Sequence, residues 1–260
     1  MATSPELLRF VEEAGFIFRG KVTSKQTPAA QDSAAQQTVT AQVEDILLST
    51  DVLRGLLGRT VTIVTQHAAS MEDEGSYVFF TNCVVLADHA VVREVGHMRA
   101  SHEAHREVAE VMKEAAERPL RERVATAELI LEGHVTASGP ADPHAVQKSE
   151  HDPNWWIARV EVGSVLKGGE KAGHSISVLF ANSDDIAWYK SPKLHEGLRG
   201  VFLLHPVTEA DSPPKADRKP RVDRVVYKAI DPLDFLPTEH LSEVKRALNI
   251  EHGNSEREGR

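Results

Sequence analysis

Cysteine is nearly missing from this 260-residue chain: Cys83 stands alone. No intramolecular disulfide can form, and its neighbours Phe79, Phe80, Val84 and Val85 mark it as a small core residue in preference to a nucleophile. A reducing cytoplasm is the expected setting. No apolar run approaches the roughly 20 residues that span a bilayer; the most apolar stretches are strand-sized, such as Val78–Phe80 and Val84–Leu86. No membrane partner is expected. The first fifteen residues carry Glu6, Glu12 and Glu13 in place of a basic and then greasy segment, so no export is expected. Aromatics make up only 5%, and 30 Lys plus Arg are outnumbered by 39 Asp plus Glu, for a net charge of −9. That balance repels a phosphate backbone and disfavours a duplex-DNA binder. Gly-x-Ser-x-Gly, a Gly-rich phosphate loop and Gly-x-Gly-x-x-Gly are also lacking, so neither an enzyme nor a cofactor is expected.

What the chain does contain is an internal repeat. Phe16–Ser24 matches Leu129–Ala137, with Ile17/Ile130, Gly20/Gly133, Val22/Val135 and Thr23/Thr136 identical. In the same order, Ala41–Glu44 meets Ala158–Glu161, Val52–Gly55 meets Val165–Gly168, and Gly58–Val64 meets Gly173–Leu179. Glu74-Gly75 with Val78-Phe79 then meets Glu196-Gly197 with Val201-Phe202, and Val91-Val92 meets Val225-Val226. Collinear blocks separated by unequal loops are the mark of a duplicated domain that kept its core.

Each repeat reads as five short strands followed by a helix. In repeat two, Trp156, Ala158, Val160 and Val162 alternate with Trp155, Ile157, Arg159 and Glu161; in repeat one, Val39, Ala41 and Val43 form the apolar face. Period two with one apolar face predicts half-buried strands, and a mid-strand glycine in the first strand of each repeat predicts a bulge. Third, fourth and fifth strands are expected at Thr60–Val64, Tyr77–Phe80 and Val91–Val95, and again at Ser175–Leu179, Val201–Leu204 and Val225–Ala229. Ser101–Glu117 has His105, Val108, Val111, Met112 and Ala115 at helical spacing, with Pro119 expected to stop it. Thr238 caps a last helix with Leu241, Val244 and Leu248 on one stripe, ahead of a polar tail, Glu251–Arg260, expected to fray. Ser4 and Pro5 signal a short first helix carrying Leu7, Leu8, Phe10, Val11 and Ala14. The fold class is therefore mainly β with helices: two duplicated five-stranded OB-like β-barrels, each followed by an α-helix. The expected boundaries are 1–97 for the first barrel with its short helix, 98–122 for a helical connector, 123–236 for the second barrel, and 237–260 for the last helix and tail.

The shared pattern of an apolar strand broken by Gly-x-Val-Thr, then Ala-x-Val-Glu, Val-Leu-Lys/Arg-Gly, a Gly-initiated strand and Val-Phe resembles the OB-fold-like barrels of the tissue-inhibitor and netrin-like branch. The resemblance covers the strand core of both repeats and implies fold alone, since these are packing motifs. Relatives in that branch are commonly secreted and stapled by disulfides, and a chain with one cysteine departs from them there. Their protease inhibition is not carried over.

OB-like barrels take ligands on the strand two and three face and in the loops joining strands one to two and four to five. Those loops are long here: Gln26–Gln37, Ser138–Asn154 and Pro206–Val222. Trp155 and Arg159 lie on the face opposite the core, and Lys215, Arg218, Lys219 and Arg221 sit in the last loop. These six are the binding candidates, since stacking aromatics beside a basic groove bind single strands. Glu209, Asp211, Asp217 and Asp223 cancel the four charges of the loop. A protein partner is accordingly the first reading, and single-stranded nucleic acid the alternative. Among thirteen histidines, His97, His102 and His105 stand near Glu103 and Glu107, but without His-Glu-x-x-His or a cysteine, no metal is expected. His144 and His151 read as solvated. Asp184-Asp185, Glu72–Glu74 and Asp231/Asp234 read as solvated turns, and Trp188-Tyr189 as a plug closing the end of a barrel, with a partner-binding knob as the alternative.

Overall fold

The structure is a computed structural model that describes residues 5–26, 37–86, 90–142, 151–208 and 227–258; the side chains of 83–86 and 250–258, Cys83 among them, lie outside that description. The chain divides into two compact units, 1–117 and 118–260. In the first, β1 (Phe16–Gln26), β2 (Gln37–Leu48), β3 (Thr60–Thr65), β4 (Ser76–Leu86) and β5 (Ala90–Arg99) close into a barrel in the order β1-β2-β3-β5-β4. In the second, β6 (Leu129–Pro140), β7 (Trp155–Lys167), β8 (Ser175–Ala181), β9 (Arg199–Pro206) and β10 (Tyr227–Ala229) repeat that order and close through the β9–β10 pairing. β3 runs parallel to β5, and β8 parallel to β10. This is a tandem OB-like architecture, mainly β with helices. A short sixth strand, β11 (Phe235–Pro237), adds to β9, which the sequence pattern did not announce. Among the described residues, no helix is long and apolar enough to cross a membrane.

Closure rests on the first strand of each barrel. β1 pairs with β2 over Ile17–Gln26 and with β4 over Phe16–Lys21, so one strand serves both sides of the wall. Its register with β2 shifts at Ile17/Phe18, Arg19/Gly20 and Val22/Ser24; that of β6 with β7 shifts at Ile130/Leu131, Glu132/Gly133 and Val135/Ala137, the same three places. Glycine is required at the middle shift. A Cβ on Gly20 would lie 3.0 Å from the Gln42 carbonyl, and one on Gly133 only 2.5 Å from that of Glu161.

Those registers also correct the repeat as read from sequence. Val22 faces Ala41 and Val135 faces Val160, so Ala41 corresponds to Val160, two residues from the match of Ala41 with Ala158. Val52–Gly55 lies in a 3-10 turn, whereas Val165 pairs with Leu131 as Ile46 pairs with Phe18; that block is not equivalent. The Gly58/Gly173 block holds, both glycines being at positive φ and both bonding the equivalent carbonyls of Val43 and Val162. Glu74, at φ 60°, corresponds to Gly197 at φ 85°, since both amides donate to the first strand's Val22 or Val135 carbonyl. Tyr227 stands where Val92 stands, while Val225 and Val226 lie outside the described residues.

The helices cover the one strand pair in each barrel that is apolar on both faces. Phe16, Phe18 and Phe79 point inward, while Ile17, Val78 and Phe80 pack outside against α1 (Pro5–Glu13) and the first part of α2 (His102–Thr126). The equivalent Ile130, Val201 and Leu203 pack against the end of α2 and α3 (Leu241–Glu258). Unbroken runs such as Phe16–Phe18 and Leu129–Leu131 follow from that two-sided burial. Ser101 caps α2, its Oγ accepting from the Ala104 amide at 3.0 Å. The buried stripe holds Ala104, Val108 and Val111, and His105 is exposed. Pro119 does not stop the helix, which runs on to Thr126. Proline inside a helix costs about 3 kcal/mol, but the turn beyond it buries Val124 against Ile130 and Val201, and Lys167 Nζ caps its end on the Val124 and Ala125 carbonyls. α3 continues through Glu258 into the stretch expected to fray.

Replacing Gly133 by Ala should destabilise the second unit by about 1–3 kcal/mol, the cost of overpacking, whereas Gly169→Ala, with nothing within 4 Å of the new Cβ, should stay within about 0.5 kcal/mol. Urea unfolding of the two variants checks the difference.

Candidate functional site

The candidate site lies on the second barrel, where the outer face of β7 meets the connection between β8 and β9. Alternation along β7 sends Ala158, Val160 and Val162 into the core and leaves Arg159 exposed with Trp155 half-buried. Trp155 sits edge-on to Trp188, ring centroids 5.8 Å apart. Trp188 is held in turn by its Nε1, which donates to the His151 carbonyl at 2.9 Å. Neither Trp188 nor Tyr189 joins the barrel core as a plug: Leu194 of the same connection does so, Trp188 packs on Trp155, and Tyr189 stays 55% exposed. Ile186 is 83% exposed beside it.

This connection is tied down from beneath. The Lys193 ammonium donates to the carbonyls of Ala181 (2.8 Å), Ser183 (2.7 Å) and Trp188 (3.1 Å), three acceptors for three protons. Burial pushes its pKa below the ordinary lysine value. Asp185 accepts from the Ala187 amide and lies 2.9 Å from His151 Nδ1, and these bonds hold its carboxyl below the usual range. His151 is exposed, as read from sequence, and Asp185, read as solvated, is half-buried; both are parts of this frame.

Next to the pair opens a cleft of about 700 Å³ lined by Arg123, Trp188, Lys190, His205, Lys228 and Asp231, among others. Its floor is an ion pair that sequence reasoning missed. Asp234 is fully buried, bonded to Arg123 at 2.5 Å and to the amides of Ile230 (2.7 Å) and Asp231 (2.9 Å). Burial pushes its carboxyl up, against the pull of Arg123 and the two amides. The signal was present in Asp231-Pro-x-Asp234, a capping box in which each aspartate satisfies the other's turn. His205 Nε2 lies 3.8 Å from Asp234 Oδ1, too far for a hydrogen bond. Burial and the charges of Arg123 and Lys228 push its pKa down to about 4.

Lys215, Arg218, Lys219 and Arg221 lie outside the described residues, as do the acidic residues Glu209, Asp211 and Asp217 interleaved with them and Asp223 beyond; so does His144. Of the sequence candidates the structure therefore places Trp155 and Arg159, on one strand face, and adds Trp188, Ile186 and Tyr189. In the first barrel, Thr38 and Thr40 stand where Ile157 and Arg159 stand, so among the described residues this strand face differs between the two barrels. The Glu72–Glu74 run is exposed, as a solvated turn should be, and also ion-paired: Glu72 is bidentate on Arg99, Asp73 meets Lys25 and Glu74 meets Lys21.

No family model and no curated protein matches the chain. Among solved structures, one described as structural mimicry for functional antagonism is 10% identical with a TM-score of 0.23, the match covering 83% of this chain and 89% of that one. The Ifi202 HINa domain in complex with 20-base-pair double-stranded DNA gives the same identity and TM-score over 74% and 84%. At that level the likeness carries no argument about function.

Two measurements follow from the cleft. Asp234→Ala takes the acceptor from the Ile230 and Asp231 amides and the partner from the half-buried Arg123, and should cost about 1–3 kcal/mol of stability, read by chemical denaturation. His205, neutral in the fold, takes up a proton near pH 6.5 once unfolded, so the unfolded state gains protons first as pH falls. Stability should drop from about pH 6.5 down to about pH 4, and His205→Gln should flatten that part of the profile in urea titrations at stepped pH.

Proposed function

We propose that this chain is a non-catalytic binding protein of the cytoplasm whose second barrel engages a protein partner through Trp155, Trp188, Ile186 and Tyr189. The observation that carries this reading is the exposure of Ile186 and Tyr189 on a connection whose backbone is already fixed by Lys193 and Trp188. Most apolar side chains of this size are buried here. Among the described residues only Val52, Leu57, Ile186 and Tyr189 are large, apolar and exposed, and two of the four share this connection. A rigid apolar projection loses little conformational entropy when it is covered, and tryptophan and tyrosine are the residues that anchor protein interfaces. The resemblance to tissue-inhibitor and netrin-like barrels contributes only a packing pattern to this reading, and their partners are not transferred.

A second reading has its own observation. Trp155, Ile157 and Arg159 share the outer face of the second barrel's second strand, where OB-like barrels take oligonucleotides, and an indole there suits base stacking.

A photo-crosslinking residue placed at Ile186 should give a discrete protein adduct in cell extract. Trp188→Ala should weaken binding of the captured partner by about 30-fold, the scale of an interface anchor worth roughly 2 kcal/mol. Absence of any adduct, together with salt-sensitive binding of labelled single-stranded oligonucleotides that Trp155→Ala abolishes, would replace this reading by the second.

A further inference from the structure

The first barrel holds a cluster of three ligating side chains that the surface of the second barrel does not explain. His67 follows β3, and Glu94 and His97 lie on β5. Their nearest ligating atoms all fall within 4.8 Å of one another. His67 Nδ1 is 3.4 Å from Glu94 Oε2, and His97 Nδ1 is 2.5 Å from Glu94 Oε1. In a regular strand, residues three apart point to opposite faces. Here β5 carries a bulge: Gly96 pairs with Phe80 and Glu94 with Thr81, leaving Val95 extra. The bulge turns Glu94 and His97 to one side, the re-aiming of a side chain that such irregularities provide.

The surroundings support the carboxylate. Thr65 Oγ1 donates to Glu94 Oε2 and accepts from the His67 amide at 2.8 Å, so one hydroxyl orients two members of the cluster. The Glu94 side chain is only 3% exposed. Burial alone pushes its carboxyl up, but the bonds from His97 and Thr65 outweigh that and hold it below the ordinary glutamate value.

The duplication shows that the fold does not need this cluster. Registers place Phe180 at the position of Thr65 and Ala229 at that of Glu94, and both are buried and apolar. The second barrel closes the same corner with a plain core. Burying a carboxylate where a methyl and a phenyl group serve costs free energy, which the first barrel spends without a structural return.

We propose that His67, Glu94 and His97 form a binding site for one divalent first-row transition metal ion of the zinc class. Two imidazoles and one carboxylate are the donors of three-ligand zinc sites, and nitrogen-rich sets of this kind select such ions over magnesium or calcium. Donors along the edge of a tetrahedral zinc shell stand about 3.4 Å apart, the separation already seen between His67 and Glu94. The ion takes the place of the proton between His97 and Glu94, which is released on binding. His67, 61% exposed, leaves the fourth position to water. Thr65 acts as the outer partner that orients the carboxylate.

The test uses the full chain freed of metal with a chelator. Zn²⁺ is titrated in competition with a chromophoric chelator, and Co²⁺ is followed by its visible d–d absorption. One Zn²⁺ per chain should bind, with cobalt bands of a tetrahedral shell. His67→Ala, a change at an exposed side chain, should weaken binding by well over about tenfold, and Thr65→Val by about tenfold. The double change His102→Ala and His105→Ala, on exposed positions of α2, should leave it unaltered. Failure to compete with the chelator, or binding unchanged in His67→Ala, overturns the proposal.

Discussion

The close passage of two strands over a glycine is the constraint on which both barrels depend. At Gly133 the neighbouring carbonyl comes so near that no side chain fits, at a register shift in the stretch where β6 pairs with β7 on one edge and with β9 on the other. Without it the sheet would stay open and its inner face wet. Because the bend also exposes the outer faces of β1 with β4 and of β6 with β9, each barrel needs a helix laid across that wall. Closure and the helical elements are therefore one requirement.

Duplication then separated what the fold needs from what it tolerates. Many inward residues of the two barrels correspond in kind, Val22 with Val135, Ile63 with Val178, Phe16 with Leu129 and Phe79 with Phe202, while Val92 gives way to Tyr227. Outside the core the copies part. One kept threonines on its second strand and acquired a histidine and carboxylate corner; the other placed tryptophans and an arginine on the equivalent strand and filled the corner with Phe180 and Ala229. Features found in one copy only are where function is to be sought, since the shared framework stands without them.

Much of the framework was legible in the chain. Val39, Ala41 and Val43 alternate because one face is wet, and Gly20 with Gly133 marks the bend because no other residue fits. The repeat was visible for the same reasons, but its alignment slipped by two at Ala41, a shift that period two conceals because it leaves every residue on its own face. Pro119 misled because propensity is local, while burial of Val124 is not. Asp234 looked like a surface residue since its partner Arg123 is 111 positions away. His67 escaped notice because it meets His97 only through strand pairing, whereas His102 and His105 drew attention by proximity along the chain and stand exposed on a helix. Trp188 could be flagged as an aromatic in a loop, but its direction is set by a bond to His151 that sequence spacing does not contain.

The three carbonyls gathered by Lys193 have an evolutionary consequence. The shape of that connection is decided by a side chain lying under it and by main-chain oxygens that every residue possesses. Side chains at the tip, Ile186, Ala187, Tyr189 and Lys190, take no part in those bonds. Selection can therefore rewrite the tip without unravelling the platform, as in recognition loops mounted on a rigid scaffold. Tip chemistry and foldability are uncoupled here, and a chain that keeps the half-buried lysine is free to display quite different side chains from one and the same backbone.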